Sequence, residues 1–260
     1  MIFIFSDLDG CLLNKHDYSF EAAIPVLSRI RELKIPLILA SSKTVVEMRT
    51  LAEEMQLNDA PLICENGGAI YWTNRDVENP DSEVLGSDRP SILATLRELK
   101  SQFEFSSFED LQVEGVMRAT DLPIDRARAA LQRRSTEPLL WEDADDKIDR
   151  FHAELREASL TLTKGGRFWH VAGRTTKGLA MQRVIKQRSD ELEGEITTLA
   201  IGDSPIDQSM LDVADYPIAI PSPDGVVRVE SKAHNGSVAT QAGATGWAEA
   251  VTKVLDKLAK

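Results

Sequence analysis

Phe3-Ile4-Phe5-Ser6-Asp7-Leu8-Asp9-Gly10 is the stretch around which the chain is organised. Its first three residues form an unbroken apolar run of the kind shown by a strand buried on both faces. Gly10 tolerates positive φ and lets the backbone turn sharply out of that strand. In an open α/β sheet the chemistry sits just beyond the carboxyl ends of the strands, which is where Asp7 and Asp9 fall. Two carboxylates two residues apart can act as nucleophile and proton donor, or jointly hold a hard cation such as Mg²⁺. They can also be plain turn-forming aspartates, and the rest of the chain decides between these readings.

Working outward, apolar spacing predicts a helix from about Ala22 to Lys34, with Val26, Leu27, Ile30 and Leu33 on its inner face. Pro25 is comfortable only in a first turn. Leu37-Ile38-Leu39-Ala40 reads as a second buried strand, ending in Ser41-Ser42-Lys43. Thr44 and Glu47 form a capping box that opens the next helix, whose inner stripe is Val45, Met48, Ala52 and Met55. Leu62-Ile63-Cys64 is a third strand, leading into Glu65-Asn66-Gly67-Gly68 and a short strand through Tyr71. This alternation implies an α/β fold: a doubly wound, Rossmann-like parallel sheet with right-handed crossovers.

From about Val84 to Gly173 the pattern changes. Helices are expected near Pro90–Lys100, Pro123–Arg134 and Asp145–Glu157. Two alternating runs, Leu160–Lys164 and Arg167–Val171, flank Gly165-Gly166 as a hairpin. After Gly173 the first style returns. Thr176-Lys177-Gly178 opens a helix with Leu179, Val184 and Ile185 inward, and Ile196–Ile201 is a strand ending in Gly202-Asp203-Ser204-Pro205-Ile206-Asp207. There Ser204 is a good N-cap, Pro205 suits the first helical position and Asp207 closes the capping arrangement. A strand at Ile218–Ile220 and a helix over Trp247–Leu258 complete the chain. The expected organisation is a core of residues 1–83 and 174–260, with 84–173 inserted as an α+β cap.

The 260 residues carry a formal net charge of −12, which argues against nucleic acid or an acidic membrane as partner. A small anionic substrate is compatible with this only if a metal or a few placed Lys and Arg neutralise it locally. No apolar stretch is long enough for a signal peptide or a membrane span. The only cysteines, Cys11 and Cys64, have no metal-ligand spacing, so a reduced, cytoplasmic setting is expected.

Asp7/Asp9, Ser41, Lys177 and Asp203/Asp207 all fall at strand ends or helix starts of one sheet. Their order and residue types resemble the haloacid dehalogenase superfamily of phosphotransferases, across the whole core. The resemblance implies that Asp7 is the nucleophile and Asp9 the acid/base, that Ser41 hydrogen-bonds the transferring phosphoryl, and that Lys177 offsets its charge. It also implies Mg²⁺ held by Asp7, the backbone carbonyl of Asp9, and Asp203. Asp207 is either linked to the metal or only a cap.

The large insert, placed after the third strand, resembles the arrangement of the Cof-like, sugar-phosphate branch of that superfamily. More specifically, Asp7-Leu8-Asp9-Gly10, Ser42-Lys43-Thr44, Glu65 through Tyr71, Lys164 through His170 and Lys177-Gly178 resemble the mannosyl-3-phosphoglycerate phosphatases. That family makes mannosylglycerate, a compatible solute, and some members also take the glucosyl compound. The implied substrate contacts are Ser42, Lys43, Asn66, Gly67, Lys164, Gly165, Gly166 and Arg167. The Arg167 guanidinium is expected to grip the glycerate carboxylate, while His170 reads as a satisfied sheet histidine. Cys11 stands where the superfamily most often has threonine, and at position 41 serine keeps the hydroxyl. The expected partner is therefore a small phosphorylated sugar. The alternatives are a general sugar phosphatase, a phosphomannomutase-like transferase, or an inactive binding module on the same fold.

Overall fold

The computed structural model describes residues 1–57, 59–73, 82–191 and 194–259. Residues 74–81, just ahead of the expected boundary at 83, lie outside them. The first half of the core runs β1 (Ile2–Ser6), α1 (Ile24–Glu32), β2 (Leu37–Leu39), α2 (Val45–Glu54), β3 (Leu62–Cys64), β4 (Ala69–Tyr71) and β5 (Ser82–Val84). Next come α3 (Arg89–Leu99), β6 (Phe105–Ser107), α4 (Phe108–Thr120), α5 (Ile124–Ala130), β7 (Thr136–Trp141), α6 (Ile148–Glu157), β8 (Leu160–Lys164) and β9 (Trp169–Gly173). The chain then closes with α7 (Lys177–Glu191), β10 (Thr197–Gly202), α8 (Gln208–Leu211), β11 (Tyr216–Ala219), β12 (Ser237–Val238) and α9 (Gly243–Leu258).

A parallel five-stranded sheet, ordered β12-β11-β10-β1-β2, forms the centre. It is covered on both faces. Ile4 points into a cluster with Leu27, Ile30 and Trp247, while Phe3 and Phe5 point into a second with Met181 and Val184. This is the doubly wound α/β arrangement that the unbroken apolar strands imply. β3 touches the sheet through an isolated parallel bridge, Ala40 with Ile63, and is otherwise the edge of a three-stranded antiparallel sheet, β3-β4-β5.

A second, antiparallel sheet is ordered β6-β7-β9-β8. Ile92 and Leu96 of α3, and Phe151 and Leu155 of α6, pack on one face of it with Leu139, Leu160, Leu162 and Val171. Because side chains alternate along a strand, Thr161, Thr163 and His170 fall on the other face.

Several local expectations are corrected. Leu33 and Leu179 were placed inward, yet they are 55% and 51% exposed. Leu33 is the C-cap beyond the last turn of α1, and the inner face of α7 is instead Ala180, Met181 and Val184. Neither α4 nor β7 was expected. α4 opens on a Ser107–Asp110 capping box, but Gln112 leaves helical geometry at φ 53°, which breaks the apolar period. β7 contains Pro138, which pairs with His170 of β9 at a level that the β6 pairing does not reach, so its missing N–H costs no ladder bond. The second hairpin strand begins at Trp169, which leaves Arg167 in the loop. Among the described residues no helix is long and apolar enough to cross a membrane.

Candidate active site

Asp7 follows β1 directly, and its amide donates to the carbonyl of Ile201 in β10 at 2.9 Å, fixing it at the seam between the central strands. The loop then folds back on itself: Gly10 donates to Leu13 and Leu13 to Leu8, both at 2.8 Å. Gly10 has φ 93°, and a Cβ there would lie 2.7 Å from Asp203 Oδ2. Glycine is required for this close approach as well as for the turn. The result separates the two carboxylates: the side chain of Asp7 is 9% exposed, that of Asp9 33%.

Lys177, the first residue of α7, sits between two carboxylates. Its Nζ lies 2.5 Å from Asp7 Oδ1 and 2.6 Å from Asp207 Oδ1. A cation at a helix N-terminus is electrostatically disfavoured. Burial also works against its charge, but Asp207 and Asp7 outweigh both and hold its pKa above the ordinary lysine value. The start of α7 is seated by the Glu65–Gly68 turn. Gly67, at φ 93°, has no room for a Cβ, which would meet the Thr176 carbonyl oxygen at 2.3 Å. Its own carbonyl accepts from Thr175 Oγ1 at 2.7 Å. Gly67 thus positions Lys177 through the backbone.

Asp207 takes a role in this lysine's seat. Its Oδ2 accepts from Ser204 N at 3.0 Å, Ser204 Oγ at 2.7 Å and Asp203 N at 3.2 Å, while Oδ1 faces Lys177. Both oxygens are therefore occupied by protein donors, and the expected capping is present.

Negative charge exceeds positive here. Burial, and next the charge of Asp207, raise the pKa of Asp7, with Lys177 opposing them. Burial and Asp207 push Asp203 up to about 6. Asp9 is paired on one oxygen with Lys43 Nζ, while its other oxygen is buried and has no partner among the described residues. Oxygens of Asp7 and Asp203 lie within 4.8 Å of one another and of Cys11 Sγ. Uncompensated carboxylates and an orphaned oxygen fit a small hard divalent cation such as Mg²⁺. Asp7, Asp203 and the Asp9 segment would hold it. The Cys11 thiol is pushed up by burial and by Asp7, and a protonated thiol suits a hard cation poorly.

The Ser41–Lys43 loop lies alongside the Ile63–Asn66 segment: Ser41 N donates to Ile63, Glu65 N to Lys43 and Asn66 N to Ser41. Ser41 is 1% exposed, and its Oγ accepts from Lys43 N at 3.4 Å. The Ser42 carbonyl accepts from Arg133 at 2.6 Å, a contact that no sequence pattern announced. Arg133 is buried and also donates to Thr136 Oγ1 at 2.9 Å. Beside it, the fully buried Glu65 accepts from Arg134 N at 2.8 Å, Ser135 N at 3.1 Å and Thr136 Oγ1 at 2.6 Å. Glu65 therefore ties residues 134–136 to the sheet edge that carries Asp7. Glu65→Ala, which strands those donors, is expected to destabilise the protein by about 3–5 kcal/mol. Urea unfolding checks this, and a midpoint within error of wild type would refute the tie.

The hairpin residues distribute differently. A cavity of about 190 Å³ lies between the open face of the second sheet and the start of α7, lined by Thr163 and His170 on one side and Asn66 and Lys177 on the other. Lys164, Gly165, Gly166 and Arg167 do not line it. Lys164 Nζ stands 5.2 Å from the centroid of the Trp169 ring. Arg167 donates to the Ala119 carbonyl and lies 4.0 Å from Asp121, turned toward the end of α4. His170, given no role from sequence, faces the cavity.

A family model described as haloacid dehalogenase-like hydrolase matches residues 4–238. A Persephonella marina protein named glucosyl-3-phosphoglycerate/mannosyl-3-phosphoglycerate phosphatase is 38% identical over 267 residues, covering 98% of this chain and 97% of that protein. Among solved structures, a Thermoplasma acidophilum protein superposes with a TM-score of 0.71 at 17% identity, over 98% of this chain and 97% of the other. A sugar phosphatase described as subclass IIB of the same superfamily does so with a TM-score of 0.66 at 15% identity, over 100% and 99%. These structural likenesses concern the fold.

Proposed function

The chain belongs to the haloacid dehalogenase-like hydrolase family, and from that premise we propose that it is a Mg²⁺-dependent phosphatase acting on a glycosyl-3-phosphoglycerate, mannosyl or glucosyl. The observation that carries this reading is the buried Asp7–Lys177 pair at the sheet edge beside Asp203, in a chain so similar along its length to a phosphatase of that substrate class.

In the proposed reaction a carboxylate oxygen of Asp7 attacks phosphorus, and the bond to the substrate's alkoxide oxygen breaks. Asp9, the more exposed carboxyl group, gives that oxygen its proton. The Asp9 carboxylate then takes a proton from water as its oxygen attacks the aspartyl-phosphate, which releases phosphate and restores Asp7. Lys177 counters charge on Asp7 and the phosphoryl group, and the Ser41 hydroxyl donates to a phosphoryl oxygen. Asp7, Asp203 and the Asp9 segment would hold Mg²⁺, which would supply positive charge to keep Asp7 ionised and to screen the phosphoryl dianion. The product would be the glycosylglycerate, a compatible solute, and the two free, buried cysteines suit a reducing cytoplasm.

The test is a comparison of kcat/KM, read as released phosphate, on mannosyl- and glucosyl-3-phosphoglycerate, on 3-phosphoglycerate and on simple sugar phosphates. A glycosyl-3-phosphoglycerate is expected to lead, and EDTA to abolish turnover. A sugar monophosphate that reacts as well or better would favour a general sugar phosphatase. Phosphoryl transfer without free phosphate would favour a mutase.

A further inference from the structure

We infer that His170 is a specificity residue that reads a neutral hydroxyl of the substrate's glycosyl ring, inside the cavity it shares with Asn66 and Lys177. The inference rests on the substrate class proposed above and names the group that would distinguish it.

Strand alternation puts the side chain there. On β9, Val171 enters the core under α3 and α6, so His170 faces the other way. On β8, Leu160 and Leu162 enter that core, so Thr163, paired with His170 across the strands, shares its face. The cavity they line reaches Lys177, whose ammonium contacts Asp7 at 2.5 Å. Its volume of about 190 Å³ is below the ~300 Å³ at which sites for whole drug-sized ligands begin. It suits one part of a substrate whose phosphate lies at Asp7.

Three observations give the ring a binding role. First, its Nδ1 is sealed from solvent and has no hydrogen-bond partner among the described residues. Buried polar atoms nearly always have one, so the ring, which lines the cavity, still has a hydrogen bond to make. Second, the Gly-Gly turn holds the ring: a Cβ on Gly165 would lie 2.8 Å from His170 Nε2. Gly165 thus lets the chain close over the imidazole edge, which gives this part of the motif a purpose that Arg167, bonded to Ala119, does not share. Third, the imidazole is neutral. Burial, and then the charge of Arg133, lower its pKa to about 3. A neutral imidazole has one donor and one acceptor, which match a hydroxyl. A carboxylate or phosphate would prefer a cation, so the anionic end of the substrate lies elsewhere.

The experiment compares a glycosyl-3-phosphoglycerate with 3-phosphoglycerate, which keeps the phosphate and carboxylate and lacks the sugar. His170→Phe preserves ring shape without nitrogens and is expected to lower kcat/KM about tenfold on the glycosylated substrate, mainly through KM, with little change on 3-phosphoglycerate. His170→Asn, which keeps a donor and an acceptor, should recover part of the loss. Equal losses on both substrates, or none on either, would overturn the inference. If the wild type itself shows no preference for the glycosylated substrate, the substrate reading fails and the inference with it. A preference as large in His170→Phe as in the wild type sinks the inference alone. Should the variant fold poorly, histidine-labelled wild-type protein titrated with mannosylglycerate decides: the His170 nitrogen resonances must move, and unmoved resonances at saturation would refute the contact.

Discussion

Asp7→Asn is expected to lower turnover of every phosphomonoester by roughly four to six orders of magnitude, with the fold intact. The amide keeps the shape of the side chain and removes the attacking charge. Lys177 would still have Asp207 at 2.6 Å, so no buried ammonium is left alone. The contrast with Asp9→Asn separates the roles. Without Asp9 the attack on an activated ester such as p-nitrophenyl phosphate needs no acid, but water is no longer deprotonated. Acid-quenched Asp9→Asn protein should therefore carry phosphate on the Asp7 peptide, and Asp7→Asn protein none. Near-wild-type turnover in Asp7→Asn, in protein free of deamidation, would end the aspartyl-phosphate mechanism.

Lys177→Met should damage stability and activity together. The lysine side chain is 3% exposed, and its partners Asp7 and Asp207 are 9% and 0% exposed, so solvent screens this group little. Removing the cation leaves two carboxylates buried side by side. Breaking a buried pair in this way costs about 3–5 kcal/mol, and losing a charge stabiliser at the reacting group costs on the order of a thousandfold in kcat. The pH dependence has a definite sign. Asp7 is already held above the ordinary carboxylate range by burial and by Asp207, with Lys177 opposing. Without Lys177 its folded pKa rises further above its unfolded value. The stability such a group contributes is present below the unfolded pKa and lost as pH rises through the folded one. The deficit against wild type should thus be largest near neutrality and shrink in acid. Thermal melts across pH check this, and a deficit that does not change with pH would mean that packing, not charge, is what Lys177 supplies.

What could be read locally was read well. The Phe3-Ile4-Phe5 run and Gly10 placed Asp7 at a sheet edge, and the Thr44–Glu47 capping box is present with both of its hydrogen bonds. The glycines at 165 and 166 do join two antiparallel strands. α4 and β7 were missed because one backbone irregularity at Gln112 and one proline at position 138 interrupt the periods on which such readings depend.

By itself the sequence determined the alternation of strands and helices, the position of the acidic loop after β1, and the family to which that order belongs. The first two follow from periods of two and 3.6 residues and from caps and turns, all encoded within a few positions; the family follows from the resemblance of the motif residues at those strand ends. Only the tertiary structure decided which side chains meet: Lys43 on Asp9, 34 residues away, and Arg133 on the Ser42 carbonyl, 91 residues away. It also turned Arg167 toward α4 and gave the cavity wall to His170. The physical reason is that a charged or polar side chain takes whichever compensating partner packing brings within about 3 Å, and nothing local encodes who that partner is.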